Sequence, residues 1–178
     1  MPEVIYYVAT SLDSYIATPD GGVDWLAPFQ SGEEDYGYAA SYASVDALLI
    51  GSQTCAQFLS FGNWPYKGKP CWLFSGRPLD SVQAGVTLTS KKPRDVLADL
   101  EEGGIERVWL VGGAALAASF RSLGLISEVL VSVIPTILGA GIALFKPGGP
   151  KEERLALVES KQFDSGLIQL RYRKSNAA

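Results

Sequence analysis

The sequence has 178 residues and no histidine, and this absence excludes several kinds of catalysis at once. Without an imidazole there is no Ser-His-Asp or Cys-His nucleophile system, no histidine-ligated zinc site and no H-x-E deaminase motif. The two cysteines, Cys55 and Cys71, lie in apolar settings without a C-x-x-C spacing, so we predict buried small hydrophobes and no metal site. A cofactor that carries its own reactivity becomes the more attractive source of chemistry.

Long apolar runs and basic stripes are also missing. Lys plus Arg number 15 against 19 Asp plus Glu, a net charge of −4, which makes nucleic acid an unexpected partner. The longest apolar stretches, such as residues 129–134, are too short to span a bilayer. The first residues show no basic region or cleavage site, so we expect a cytoplasmic protein. With 47% apolar and 19% charged residues, the chain is typical of one globular domain, residues 1–178.

Short apolar runs alternate with amphipathic ones along most of the chain. This alternation predicts a largely parallel sheet with right-handed crossovers. The predicted strands are residues 4–10, 47–50, 71–74, 108–111 and 129–134, and the predicted helices are residues 33–43, 54–59, 93–102 and 114–123, the last with Leu116, Phe120 and Leu123 on its inner face.

Local signals support the helix and hairpin predictions. Residues 31–34 have the S-x-x-E spacing of a capping box, Pro93 suits a first helical turn, and Gly103-Gly104 suits a left-handed stop. In the tail, runs 155–163 and 167–172 joined at residues 164–166 predict a hairpin that closes one edge of the sheet.

The pair Gly112-Gly113 stands between a predicted strand and a predicted helix. In open parallel sheets, ligands bind where loops lead from strand ends to helix N-termini with free N–H groups. Two residues without Cβ let an anionic group approach the backbone, or simply make a tight turn. Three other strand ends are also rich in Gly, Ser and Thr, at residues 10–11, 51–54 and 75–78. Together they predict a groove for a phosphate-bearing ligand, although a Rossmann or P-loop motif is absent.

The order of these motifs resembles a known family. Residues 11–17, 20–26, 51–54 and 111–113, with the Ser75 turn, resemble the dihydrofolate reductase fold. Residues 124–129 and 134–145 are more closely similar to the C-terminal reductase domain of riboflavin-biosynthesis deaminase-reductases and its stand-alone relatives. The resemblance implies a three-layer α/β/α fold with a mostly parallel central sheet and a C-terminal antiparallel hairpin at one edge.

The resemblance also implies an NADPH-dependent reductase that acts by hydride transfer. In this family the paired glycines carry a cis peptide beside the cofactor phosphates, and the following helix presents its N–H groups to the pyrophosphate. The residues implied to lie along the nucleotide are Gly51, Ser52, Thr54, Val111, Gly112, Gly113, Ala114, Ala115 and Leu116. Those implied near its adenosine are Ser75, Gly76 and Arg77. Those implied around the nicotinamide are Val8, Ala9, Ile16 and Ala17.

The sequence departs from the family pattern at the nucleotide. Dihydrofolate reductases commonly have an arginine where this chain has Ser52, and that arginine pairs with the ribose 2′-phosphate. Arg77 in the next loop is the alternative source of the charge, unless it is a solvated surface residue.

A second departure concerns the acid that dihydrofolate reductases carry on the first helix. Here no acid follows Trp25 until Glu33, which disfavours folate reduction. Asp24 is the best remaining general acid or substrate anchor, and Trp25 the expected wall of the pocket, against the alternatives of a turn-capping aspartate and a core tryptophan. Residues 33–35 are more simply a solvated helical turn.

The sequence defines the substrate and the oligomeric state less well than the cofactor. The closest family members reduce the ribosyl group of a pyrimidine phosphate, and Lys67, Lys69, Arg121 and Lys146 are candidates for its phosphate site. A pterin reductase and a non-catalytic nucleotide-binding module stay open as alternatives. Residues 128–134 and 144–145 contain more apolar side chains than the core of one chain needs to bury. Related reductases pair through this region, so we predict a homodimer.

Overall fold

The computed structural model describes residues 1–60, 62, 64–77, 83–146 and 152–175. The strands are β1 (Glu3–Ser11), β2 (Tyr15–Ala17), β3 (Ala47–Gly51), β4 (Cys71–Phe74), β5 (Val86–Thr89), β6 (Arg107–Gly112), β7 (Glu128–Ile134), β8 (Ile142–Ala143), β9 (Leu155–Gln162) and β10 (Ile168–Lys174). The helices are α1 (Tyr38–Ala43), α2 (Ser52–Ser60), α3 (Pro93–Glu102) and α4 (Ala114–Ser122), with a 3-10 helix over Asp24–Phe29.

Eight strands form the central sheet in the order β5-β4-β3-β6-β1-β7-β10-β9. The strands from β5 to β7 are parallel, and β10 runs antiparallel to both β7 and β9. The predicted C-terminal hairpin is therefore confirmed, and it forms one edge of the sheet. The short strands β2 and β8 pair antiparallel as a separate ribbon.

Helices cover the sheet on both faces, which confirms the three-layer α/β/α class. On one face, α3 and α4 bury Leu97 and Phe120 against Tyr6 of β1. On the other face, α2 buries Cys55 against Ile5 and Trp109. Alternate residues of β1 enter opposite cores, as the period of a strand requires.

Most strand and helix predictions agree with the structure. Helix α3 has the predicted bounds, and Gly104 beyond its end has φ +77°. Helix α4 starts at Ala114 as predicted and ends at Ser122, one residue early. Its inner face is corrected at one position, because Leu123 lies past the helix end and is 38% exposed.

The start of the first helix is wrong in the prediction. Helix α1 begins at Tyr38, not at residue 33, and its N-cap is the left-handed Gly37. The Asp35 carboxylate accepts hydrogen bonds from the backbone N–H groups of Gly37 and Ala39, at 2.8 and 3.1 Å. Side chains that bond to nearby backbone compete with the helix, so residues 33–37 form a turn and the S-x-x-E pattern caps nothing.

Both cysteines are free and buried, as predicted. Burial raises the pKa of the Cys71 thiol to about 12 and raises that of Cys55 as well. Among the described residues, no group of acidic or cysteine side chains is arranged to hold a metal ion. No helix formed by those residues has the length and apolar character needed to cross a membrane.

Candidate functional site

A groove of about 1340 Å³ runs over the ends of β1, β6 and β7, at the edge where the parallel strands finish. Its walls come from α2 along most of its length, from the N-terminus of α4, from the 3-10 helix and the loop after it, and from the β2–β8 ribbon. Ten of the eighteen residues predicted as catalytic or cofactor-binding line this groove: Val8, Ala9, Ile16, Ala17, Asp24, Thr54, Val111, Gly113, Ala114 and Ala115.

The glycine pair lies where α2 and α4 approach each other. The peptide bond between Gly112 and Gly113 is cis, as the resemblance implies, and Gly112 has φ +116°. A Cβ atom on Gly113 would lie 2.8 Å from the hydroxyl oxygen of Thr54, and one on Gly51 would lie 3.3 Å from the nitrogen of Gly113. The three residues therefore pack closely together, with no room for a larger side chain on either glycine.

Helix α4 opens onto the groove without a side-chain cap. Its N-cap is Gly113, no side chain among the described residues caps its first turn, and Ala114 and Ala115 line the groove. The first N–H groups of a helix lack intrahelical partners, and they carry the positive end of the helix dipole. This corner of the groove is suited to an anionic group such as a pyrophosphate.

Eight predicted site residues do not line the groove. They are Trp25, Gly51, Ser52, Ser75, Gly76, Arg77, Gly112 and Leu116. Gly51, Gly112 and Leu116 lie directly behind Gly113, where Leu116 Cβ would be 3.6 Å from a Cβ on Gly51. The interpretation of Trp25 as a wall of the pocket is corrected, because the 3-10 helix turns Leu26 and Phe29 toward the groove instead. The indole nitrogen of Trp25 is buried without a hydrogen-bond partner among the described residues.

The Ser75 loop forms a tight turn after β4. Ser75 Oγ donates to the Arg77 carbonyl at 2.8 Å, and the Arg77 backbone N–H donates to Ser75 Oγ at 3.2 Å. The turn leaves the Arg77 side chain exposed at the same sheet edge as the groove. Pro78, the last residue of this motif, lies outside the described residues.

Two polar side chains, Tyr7 and Ser132, lie at the floor of the groove with Gln169 behind them, and sequence reasoning missed all three. Gln169 of β10 pairs with Ser132 of β7, and its side-chain amide donates to Ser132 Oγ at 3.1 Å and to the Tyr36 carbonyl at 3.2 Å. Tyr7 of β1 lines the groove beside them; burial raises the pKa of its phenol, and the polar side chains of Ser132 and Gln169 oppose the rise. Ser132 and Gln169 are only 5% and 7% exposed.

Carboxylates dominate the rim of the groove. Asp20, Asp24, Glu33, Glu34 and Asp35 line it, and Lys146 is the one cationic side chain among its described lining residues. The pKa of Asp35 is held below its usual value by the N–H groups of Ala39 and Gly37. Residues 33–35 are exposed, as predicted, but they line the groove and precede α1, which corrects their assignment to a helical turn.

The other cations considered for a substrate phosphate lie elsewhere. Lys69 donates to the Val45 carbonyl and sits 5.2 Å from the centre of the Tyr42 ring. Arg121 pairs with Glu153, and Lys67 does not line the groove. Of the four candidates, the groove contains Lys146 alone.

Two contacts hold the loops that frame the groove. The Asp13 carboxylate accepts hydrogen bonds from the backbone N–H groups of Leu138 and Gly139, at 3.1 and 2.7 Å. The Gln57 amide of α2 donates to the Gly21 carbonyl at 2.7 Å. Both contacts join segments distant in sequence, so the sequence alone offered no signal for them.

The sheet order corrects the reason for expecting a dimer through residues 128–134. Strand β7 lies between β1 and β10, and all of its residues except Val133 are buried within the chain. Leu144 is buried too, whereas Phe145 is 39% exposed. The homodimer stays a prediction.

Comparison with known proteins agrees with this architecture. The chain is 36% identical over 171 residues to the uncharacterized protein YwjB of Bacillus subtilis (strain 168), covering 96% of this chain and 97% of that protein. It also superposes on the crystal structure of a provisionally assigned riboflavin biosynthesis protein from Shewanella sp. PV-4, with a TM-score of 0.88, 30% identity, and coverage of 99% of this chain and 100% of the other.

A third similarity extends to a larger enzyme. The structure matches the diaminohydroxyphosphoribosylaminopyrimidine deaminase/5-amino-6-(5-phosphoribosylamino)uracil reductase of Thermotoga maritima with a TM-score of 0.75 and 16% identity, covering 97% of this chain and 56% of that one. At this identity the match shows the fold alone. The model of the RibD C-terminal domain matches residues 76–169, and the chain therefore belongs to the RibD C-terminal domain family.

Proposed function

We propose that the chain is an NADPH-dependent reductase that transfers hydride to a small heterocyclic or ribosyl-pyrimidine substrate. Residues 1–178 act as one reductase domain, in the cytoplasm and as a homodimer. The observation that carries the proposal is the groove itself, where the uncapped N-terminus of α4 and the paired glycines lie at the same edge as an apolar strip of β1.

The residues of the groove fit a nicotinamide dinucleotide. The N–H groups at the start of α4 would hold the pyrophosphate, with Thr54 beside it and Gly113 providing the close approach. Val8, Ala9, Ile16 and Ala17 give an apolar surface of the kind that the flat nicotinamide ring needs. When bound, NADPH supplies the hydride, while the protein aligns the two reactants and excludes water.

Arg77 is the proposed partner of the ribose 2′-phosphate. Ser52 carries no charge, so the preference for NADPH over NADH depends on a cation from the neighbouring loop. Replacing Arg77 with Gln is expected to weaken NADPH binding about tenfold, while NADH binding stays unchanged. An equal loss for both dinucleotides would assign Arg77 no part in this preference.

The substrate end of the groove lies beyond the nicotinamide, between Asp24 and the floor. Asp24 is exposed and lines the groove, which allows it to anchor the substrate or to donate one proton. The name of the Thermotoga maritima protein includes a uracil reductase, which supports a ribosyl-pyrimidine as one substrate class. A pterin and a purely nucleotide-binding role are the alternatives that the experiment below separates.

The test is a titration of the purified protein with NADPH, followed by an assay for its oxidation. Trp109 lines the groove, so we expect NADPH to quench tryptophan fluorescence with micromolar affinity. Gly113→Val should abolish the quenching. A screen of pyrimidine and pterin acceptors, followed by absorbance at the nicotinamide band, then identifies the substrate. Binding without oxidation by any acceptor would favour the non-catalytic alternative, and no binding at millimolar concentration would remove the proposal.

A further inference from the structure

The acidic part of the groove rim is unfavourable for a phosphorylated substrate, unlike the corner at the start of α4. Five carboxylates line the groove, and four of them, Asp24, Glu33, Glu34 and Asp35, lie on the 3-10 helix and the segment that follows. Lys146, the cation found among the described lining residues, comes from the segment after β8 on a different wall. These four residues are exposed, so a phosphate dianion beside them would meet a repulsion that solvent and salt weaken but do not remove.

The floor beside this acidic segment offers hydrogen bonds without charge. The Tyr7 phenol and the Ser132 hydroxyl lie there on adjacent strands, and the Gln169 amide donates to Ser132 Oγ from the next strand. Tyr7 and Ser132 line the groove directly, whereas Gln169 lies behind them and fixes their arrangement. The Gln169 amide also binds the Tyr36 carbonyl at 3.2 Å, which joins the floor to the acidic segment.

Aromatic rings enclose the same end of the groove. Tyr38 and Tyr66 line it together with Trp109, and their ring centres lie 6.0 and 5.4 Å from that of Trp109. The Trp109 indole donates to the Tyr7 carbonyl at 3.0 Å, so the ring is fixed in place. The three rings meet edge to face, at interplanar angles of 74° and 82°, so they present aromatic edges beside the polar floor. Such a surface suits a planar ring with hydrogen-bonding edges.

Building on the proposed reductase function, we propose that this end of the groove binds a planar nitrogen heterocycle that carries no phosphate. Tyr7 and Ser132 hold the polar edge of the ring, Gln169 positions them, and the carboxylates of residues 24 and 33–35 discriminate against phosphorylated forms. The substrate would thus be a dephosphorylated pyrimidine or a related neutral ring, which a phosphate-removing reaction supplies.

The experiment compares two compounds that differ by the phosphate alone. 5-Amino-6-(5-phosphoribosylamino)uracil and its dephosphorylated form are titrated calorimetrically into protein saturated with NADP⁺. We expect the dephosphorylated form to bind at least about tenfold more tightly. Equal affinity, tighter binding of the phosphorylated form, or no binding of either compound would overturn the proposal.

Amino-acid substitutions distinguish the contribution of the groove floor to substrate binding from that of the acidic rim. Tyr7→Phe removes one hydrogen-bonding group and should weaken binding of the dephosphorylated compound about tenfold. Tyr6→Phe is the matched control, because its hydroxyl donates to the Leu144 carbonyl on the opposite face of the sheet, and it should leave the affinity unchanged. The double variant Glu33→Gln/Glu34→Gln should tighten binding of the phosphorylated compound severalfold without changing that of the other.

The titration with NADPH distinguishes a failure of the proposed reductase function from a failure of the inference about the substrate. If NADPH does not quench tryptophan fluorescence, the reductase function itself fails. If NADPH binds but the phosphorylated compound is preferred, the reductase function stands and the inference about the substrate end is wrong. If the Tyr7→Phe and Tyr6→Phe variants lose affinity equally, the floor has no specific role in recognition.

Discussion

The hydroxyl oxygen of Thr54 lies 2.8 Å from the point where a Cβ atom on Gly113 would be. Thr54 belongs to the first turn of α2, and Gly113 precedes α4, so this contact sets how closely the two helix N-termini approach. Both residues line the groove at the corner that is suited to an anionic group. The corner therefore depends on the absence of a side chain at residue 113.

The first prediction concerns that position. Gly113→Ala should raise the dissociation constant of NADPH by at least about tenfold, because the new methyl group displaces Thr54 and narrows the corner. Gly103→Ala is the control, since Gly103 lies outside the groove at the end of α3, and a Cβ there would be 3.4 Å from its nearest neighbour. Fluorescence titration of both variants provides the measurement. Unchanged affinity in the Gly113→Ala variant would show that the corner does not hold the cofactor.

The second prediction concerns the β2–β8 ribbon. A Cβ on Gly141 would lie 2.2 Å from the Ala17 carbonyl oxygen and 3.1 Å from Tyr15, and backbone atoms there have no freedom to move aside. Gly141→Ala should lower the free energy of unfolding by about 1–3 kcal/mol. Gly32→Ala is the comparison, because its nearest neighbour would be 3.9 Å away. Urea denaturation measures both, and equal stabilities would contradict the packing described for the ribbon.

The third prediction concerns the buried Glu128. This carboxylate is 3% exposed and pairs with Arg173 at 2.9 Å and Arg171 at 3.4 Å. Glu128→Gln removes the charge that accepts from both arginines and should lower the free energy of unfolding by about 1.5–3 kcal/mol. NADPH affinity should not change, since Glu128 lies outside the groove.

The matched control for Glu128 is an exposed ion pair. Glu152 pairs with Arg154 at 3.3 Å, with both side chains largely in solvent, and Glu152→Gln should change stability by less than about 1 kcal/mol. Thermal unfolding of the two variants under the same conditions makes the comparison. Similar effects at both positions would contradict a structural role for the buried pair.

The fourth prediction concerns the reactivity of the thiols. The pKa of Cys71 is raised to about 12 by burial, so at pH 8 almost none of it is the reactive thiolate. A raised pKa means that reactivity appears only as pH approaches 12 or when the chain unfolds. Iodoacetamide should therefore leave Cys71 unmodified in the native protein and label it fully in denaturant. Rapid labelling of the native protein, detected by mass spectrometry, would contradict the burial of this residue.

The central strands were predictable because they are continuous apolar runs buried on both faces. Helices α3 and α4 were predictable for a related reason, since Pro93 and the Gly pairs mark their ends. The start of α1 was not, because the carboxylate of Asp35 bonds to the turn before the helix. The strands β2 and β8 have three and two residues, too few for a periodic pattern, and they exist through their pairing with each other.

Some residues of the candidate site could likewise be predicted from the sequence, and others could not. Gly112, Gly113 and Thr54 follow strand ends, and a parallel sheet brings all such ends to one edge, so local signals sufficed to place them together. Tyr7, Ser132 and Gln169 are single polar residues in apolar strands, and only the register of three strands brings them together. For Trp25, the spacing could not show which face of the 3-10 helix meets the groove.

The most direct test of a dinucleotide in this groove is an NMR titration with NADPH that follows the backbone amide signals of Gly113, Ala114 and Ala115. We predict that these three amides show the largest shifts, that they saturate at a 1:1 ratio, and that the Gly113→Val protein shows none. An absence of shifts at millimolar NADPH, or shifts confined to residues outside the groove, would contradict the account.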